Sequence, residues 1–183
     1  MKRFSISVQV ETAIAVALAI VLSYIKFFQM PQGGSVSLQM VPIVLLAVRR
    51  GPKVGLLGGL LFGVLKSMLN PSFYVDPVQH ILDYPVAFTV IGLVGLWVKY
   101  GKTRKDLIGN AAAVCFVFGL RFLVHVLSGK IFFGIYAPEG MNQWWYSLTY
   151  NAAYLLPEMI VTLVVVMFLL TRRDLVEVDQ NGR

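Results

Sequence analysis

Charge, cysteine and histidine are all scarce in this chain of 183 residues: charged side chains make up 14% of it, with nine acids, two histidines and one cysteine. An ordinary soluble domain is about a quarter charged, whereas apolar residues here reach 57%. A chain of this length leaves about a third of its unfolded surface exposed after folding, so much of that apolar material must face something other than water. A water-soluble fold is thereby excluded. Intrinsic disorder is excluded by the same apolar content and by 13% aromatics. A disulfide scaffold needs paired cysteines, and Cys115, inside the apolar run Ala111 to Leu120, reads as a packing residue. There is no internal repeat and no low-complexity segment. The remaining class is a single all-α integral membrane domain covering 1–183.

What charge there is amounts to +7, and its distribution says more than its size. Lys2 and Arg3 precede the first apolar run, and Arg49, Arg50 and Lys53 separate the second from the third. Lys99, Lys102, Arg104 and Lys105 separate the fourth from the fifth, and Arg172, Arg173 and Arg183 follow the last. Only Lys26, Lys66, Arg121 and Lys130 lie elsewhere. Basic residues in every other connection are the positive-inside pattern, which places both termini in the cytoplasm and reads these clusters as orientation signals rather than a nucleic-acid surface.

Six spans satisfy that alternation: Val8 to Phe28, Val36 to Val48, Val54 to Leu69, Val78 to Val98, Leu107 to Leu127 and Leu148 to Thr171. The first could be mistaken for a signal peptide, with Ala17-Leu18-Ala19 as its cleavage site, but Glu11 interrupts it and the apolar run continues, so a retained helix is expected. The second is short and carries Pro42, which predicts a tilted span or one partly buried by protein. Ala13, Ala15, Ala17 and Ala19 give two small-xxx-small spacings, suited equally to packing within the chain and to docking a partner subunit. Gly55, Gly58, Gly59 and Gly63 give the third span a slim face. The stretch Gly58 to Ser67 imitates a P-loop, but Lys66 comes two residues too late and no strand precedes it. Any ATP-driven motor must then be another polypeptide. The connection Ser128 to Ser147 is aromatic and lightly charged, which fits a lid or interfacial cap on the outside better than a solvated loop.

Polar groups at membrane depth are costly unless paired or wet, and here they cluster. His80, Asp83 and Tyr84 share one face near the outer end of the fourth span. Arg121 and His125 are four apart on the fifth, and Tyr146, Tyr150, Asn151, Tyr154 and Glu158 descend the sixth. A blander account is interhelical pairing, with Arg121 bonded to Asp83 or Glu158. Zinc held by His80, His125 and Asp83 lacks a metal-site spacing, and Ser128 near His125 is too little for a hydrolase. A carboxylate, an imidazole, an amide and several ring faces suit a flat hydrogen-bonding heteroaromatic solute, cationic if the rings serve as its counterpart.

The segments Pro31 to Ser37, Arg49-Arg50-Gly51, Leu82-Asp83-Tyr84, Arg121 to His125 with Ser128-Gly129, Phe132-Phe133-Gly134 and Tyr146 to Asn151 occur in one order over nearly the whole chain. Together they resemble the thiamine-specific substrate-binding component of the energy-coupling factor (ECF) transporters of Gram-positive bacteria. The resemblance implies a six-helix protein of the cell membrane, not an enzyme and without a cofactor of its own. It would bind thiamine from outside and dock with a module of one transmembrane coupling protein and two cytoplasmic ATPases. It also implies a docking role for Ala13, Ala15, Ala17 and Ala19. The implied ligand residues are Asp83 for the aminopyrimidine, with Tyr84, His125, Tyr146 and Asn151; Arg121 matches a basic position, and Phe133 stacks on a ring with His125.

Some members carry Glu in place of Asp83, and tryptophans in place of Gly33, Phe62 and Phe133, which predicts weaker stacking here. Lys130 either faces water or meets a phosphate if phosphorylated thiamine binds. The alternative class is a self-sufficient secondary transporter of a small aromatic cation, coupled to protons through Asp83 or Glu158.

Overall fold

The computed structural model describes residues 4–69, 74–98 and 104–172. The basic residues Lys2, Arg3, Lys99, Lys102, Arg173 and Arg183 lie outside them. Helix α1 (Ile6–Tyr24) starts at Ser5, whose hydroxyl accepts the Val8 amide proton at 3.4 Å and so satisfies one of the unpaired N–H groups of the first turn. The first span was expected to run to Phe28; it stops earlier because Phe28–Gln29 (β1) pairs antiparallel with Ser35–Val36 (β2). Gly33 and Gly34, at φ 95° and 90°, make the turn between them. A Cβ on Gly34 would come within 2.6 Å of the Tyr154 ring, so this position needs glycine for both conformation and space.

Helix α2 (Met40–Arg50) has 11 residues and reaches about 16 Å, half a hydrocarbon layer. Its burial fits the expectation of a short span held within protein: eight residues from Met40 to Val48 are buried, and Pro42 sits in the first turn where no hydrogen bond is lost. After Gly51 come α3 (Pro52–Leu69), α4 (Pro77–Leu96), α5 (Arg104–Phe132) and α6 (Gln143–Leu170). Among the described residues, all of these and α1 are long and apolar enough to cross a membrane, so with α2 the protein is a six-helix, all-α, multi-pass membrane protein.

Helix α4 is not uniform. Asp76 caps it and Pro77 opens it; a π turn at Leu82–Val86, containing Pro85, interrupts it, and it finishes as a 3-10 segment at Val90–Leu96. Helices α3 and α4 cross at glycines: a Cβ on Gly92 would overlap the backbone of Gly55 and Leu56, and one on Gly59 the backbone at Phe88. That close approach is how apolar helices gain contact where lipid is as apolar as the partner helix.

The connection expected from Ser128 to Ser147 is half as long. Helix α5 continues to Phe132 and α6 begins at Gln143, capped by Asn142, leaving Phe133 to Asn142 with a 3-10 turn at Gly134–Tyr136. Helical repeat simply outlasts the apolar run on both sides. Cys115, expected to pack, lies on the exposed face of α5 beside Phe116.

Candidate functional site

At the end of the bundle where α1 stops and α2 starts, the helices part around a half-open cavity of about 910 Å³, mouth included. All seven residues singled out as ligand candidates, Asp83, Tyr84, Arg121, His125, Phe133, Tyr146 and Asn151, line it. They come from three helices and one connection, and the spacing within each helix brings them to one side.

The acid is the second residue of the π turn. Asp83 Oδ2 accepts a hydrogen bond from Gln79 Nε2 at 2.7 Å, one turn earlier, and Oδ1 lies 3.2 Å from His125 Nδ1 on α5. The carboxylate is thus fixed from its own helix and a facing one, while retaining lone pairs for a further donor. Fixing Nδ1 leaves Nε2 as the ring's other polar atom; it is buried and without a protein partner. A buried, unpartnered nitrogen in a cavity wall is where a ligand group is expected. The extra residue of a π turn re-aims side chains relative to an α-helix, and such turns favour functional positions.

The walls are aromatic. Tyr146, Tyr150 and Tyr154 succeed one another along α6 with centroids 5.7 and 6.4 Å apart, and Tyr154 meets His125 edge-on at 6.1 Å. Tyr84 and Phe88 on α4 face the cavity as well. Phe133 stacks against Tyr136 at 6.3 Å within the connection above. Tyr150 also closes the rim: its hydroxyl accepts from Gln32 N at 2.8 Å and donates to Gly33 O at 3.0 Å, tying the β1–β2 turn to α6.

Two candidates turn out to be occupied by the protein itself. Asn151 Nδ2 donates to Ser147 O at 2.9 Å and reaches His125 O at 3.3 Å, while its Oδ1 accepts from Tyr154 Oη at 2.8 Å. It positions His125 and Tyr154 more than it offers free polar atoms. Arg121 Nη1 pairs with Glu158 Oε2 at 2.7 Å, and the other Glu158 oxygen accepts from Gln39 Nε2 at 2.7 Å. This is the interhelical pairing anticipated for Arg121, with Glu158 rather than Asp83 as its acid.

His80, expected on the same face as Asp83, is not in the lining; its ring packs between Tyr74 at 5.2 Å and Tyr84 at 4.7 Å. Zinc ligation with Asp83 and His125 has no geometric support, since no group of three possible metal ligands occurs among the described residues. The alanines of α1 divide. Ala13 and Ala17 are exposed, Ala15 is half-buried, and Ala19 is fully buried in the core. Residues two apart on a helix point about 200° apart, so four alternate positions cannot share one surface. Gln39, Gln79 and Lys66 were not anticipated in the site. Gln79 was recoverable from its four-residue spacing to Asp83; nothing in the sequence links Gln39 to Glu158, 119 positions away.

Comparison with known proteins gives a consistent picture. Residues 9–177 match the family model described as thiamine transporter protein (Thia_YuaJ). The chain is 42% identical over 169 residues to thiamine transporter ThiT of Bacillus subtilis (strain 168), covering 87% of this chain and 88% of that one. It is 34% identical over 185 residues to thiamine transporter ThiT of Lacticaseibacillus paracasei, covering 94% and 91%. Among solved structures, ThiT from Listeria monocytogenes superposes with a TM-score of 0.83 at 27% identity, over 93% of this chain and 97% of that one.

Proposed function

The chain belongs to the thiamine transporter protein family, and on that premise we propose that it is the thiamine-binding subunit of an ECF-type importer, capturing the vitamin from the extracellular side. Its relatives carry transporter names, so its role is transport rather than catalysis. The observation that carries the substrate reading is the Asp83–His125 pair at 3.2 Å inside an aromatic cavity, with His125 Nε2 unpartnered. Thiamine offers what that site lacks. Its amino group carries two N–H donors, one for Asp83 and one for the lone pair that His125 Nε2 keeps when Nδ1–H faces Asp83, and its cationic thiazolium suits tyrosine faces. In this reading Tyr84, Tyr146 and Phe133 enclose the rings, and Asn151 and Arg121 hold the walls.

The partner would be one transmembrane coupling protein with two cytoplasmic ATPases. No nucleotide site is required of this chain; ATP would act through those partners. The exposed Ala13 and Ala17 on α1, flanked by Val10, Ile14 and Leu18, form the surface on which a coupling helix would dock. The rival reading, proton coupling through Asp83 or Glu158, has to contend with carboxylates already engaged, Asp83 by Gln79 and His125 and Glu158 by Arg121 and Gln39.

Calorimetric titration of the thiamine-depleted protein in detergent tests the substrate, with riboflavin and biotin as controls. Calorimetry is preferable to tryptophan emission because Trp97, Trp144 and Trp145 lie outside the cavity lining. Saturable one-to-one binding selective for thiamine is expected; a folded sample that binds none overturns the assignment.

A further inference from the structure

Gln79 makes more hydrogen bonds than its place in the chain requires. It is the third residue of α4, after the cap Asp76 and Pro77-Val78, and Asp-x-x-Gln is a pattern in which a first-turn glutamine reaches back to a backbone N–H ahead of the helix. Its Oε1 does this, accepting from Val75 N at 3.1 Å. A cap alone would leave the amide nitrogen free for water. Gln79 is instead 1% exposed, lines the cavity and turns its Nε2 to Asp83 Oδ2 at 2.7 Å.

The direction of each hydrogen bond in this wall follows from the first. A backbone N–H only donates, so the oxygen end of the amide must face Val75 and the NH2 end must face Asp83. Turning the amide over would set oxygen against carboxylate oxygen and nitrogen against N–H. With Oδ2 bound from Gln79, Asp83 meets His125 Nδ1 through Oδ1 at 3.2 Å, and a carboxylate facing Nδ1 calls for the ring proton there. His125 Nε2, buried and without a protein partner, then keeps a lone pair. The free lone pairs of Asp83 and Nε2 of His125 are therefore both acceptors. A ring bearing an amino group supplies donors to them. A ring with an oxo group in its place brings a further acceptor among them, and an unpaired polar group in a buried site is what discriminates against a near-isostere.

We propose that Gln79 is a positioning residue that acts through Asp83: pinned by the Val75 amide, it holds the carboxylate as an acceptor and makes the site select an amino-bearing heteroaromatic over its oxo counterpart. This role rests on the thiamine reading above for the ring that Asp83 meets.

Calorimetry on the full chain in detergent would compare thiamine with the analogue in which oxo replaces the pyrimidine amino group. The proteins are wild type, Gln79→Met, Gln79→Glu, Asp83→Ala, and Asp83→Ala combined with Gln79→Met. Glutamate keeps the acceptor for Val75 and removes the donor to Asp83, so it separates helix capping from positioning. Wild type is expected to prefer thiamine, and both Gln79 variants to lower that preference by about tenfold or more, the scale of a hydrogen bond to a charged group. In the Asp83→Ala background, Gln79→Met is expected to leave the preference unchanged. A preference that survives both Gln79 substitutions, or that Gln79→Met lowers as much without Asp83 as with it, overturns the role. A preference lost in Gln79→Met but intact in Gln79→Glu overturns it in favour of a helix cap. The infrared carboxylate band of Asp83 in ligand-free protein, isolated by difference against Asp83→Asn, is a second readout. Gln79→Met is expected to shift that band, and an unmoved band overturns the positioning. Should wild type bind neither ligand, the vitamin reading falls and the band alone decides whether Gln79 positions Asp83.

Discussion

Asp83 is held by Gln79 and His125, and that arrangement determines what its removal should do. Asp83→Asn keeps the shape but turns one oxygen into a donor facing Gln79 or His125; His125→Ala removes the ring and its open Nε2. Each is expected to weaken thiamine binding by about 1 to 3 kcal/mol, the range for a lost hydrogen bond to a buried or charged group, as measured by calorimetry on variants with native melting behaviour. Arg121 and Glu158 call for a different readout, because their pair is almost wholly buried. Glu158→Leu alone strands a guanidinium in the core and should cost about 3 to 5 kcal/mol of stability, whereas adding Arg121→Met should recover much of it. Denaturant titration in detergent checks this; a double variant no more stable than the single would show that the charges are individually required. Both positions were visible in the sequence as charges at membrane depth, but which acid met Arg121 was open, since Asp83 and Glu158 sit at comparable depth on different helices.

Elements were legible to the extent that their pattern is local. The six helices follow from apolar runs punctuated by Gly, Pro and basic clusters, and α2 was recognisably too short to cross alone. Their ends were not, because α5 and α6 extend beyond their apolar stretches through Lys130 and Tyr146, residues that the lipid boundary does not forbid. The π turn at Leu82–Val86 also left no readable signal: Pro85 indicates a disturbance but not which residues it re-aims. His80, one turn before it, packs between Tyr74 and Tyr84 rather than in the cavity wall. The helix crossing at Gly55 and Gly92 carries its own prediction. Gly92→Ala should lower stability by about 1 to 3 kcal/mol through overpacking against backbone. Gly119→Ala, on α5 with open space around it, should be tolerated. Thermal melting of the two variants side by side would reveal whether close approach of α3 and α4, rather than glycine content, is what the fold needs.

At the scale of the whole molecule, the six-helix body has the candidate cavity at one end and the ion pairs of Glu11 with Arg49 and Arg50 at the other. Thiamine that binds only the folded state should stabilise it by about 2.7 kcal/mol at a hundredfold excess over Kd, raising the melting temperature in proportion. Purified protein alone in vesicles should show no net thiamine uptake under an imposed proton gradient, and uptake should appear once the coupling protein and ATPases are added with ATP. Uptake by the lone chain would favour the secondary-transporter class instead. The membrane as solvent, the helix count and the candidate polar residues can be read from the amino-acid order, because hydropathy and helical period are properties of neighbouring positions. It takes the packed helices to reveal that Gln39 and Arg121 share Glu158, that Asp83 meets His125 and that Lys66 turns inward to Ser23. Those contacts join residues far apart in the chain, and their energy depends on where helices come to rest, which no local pattern encodes.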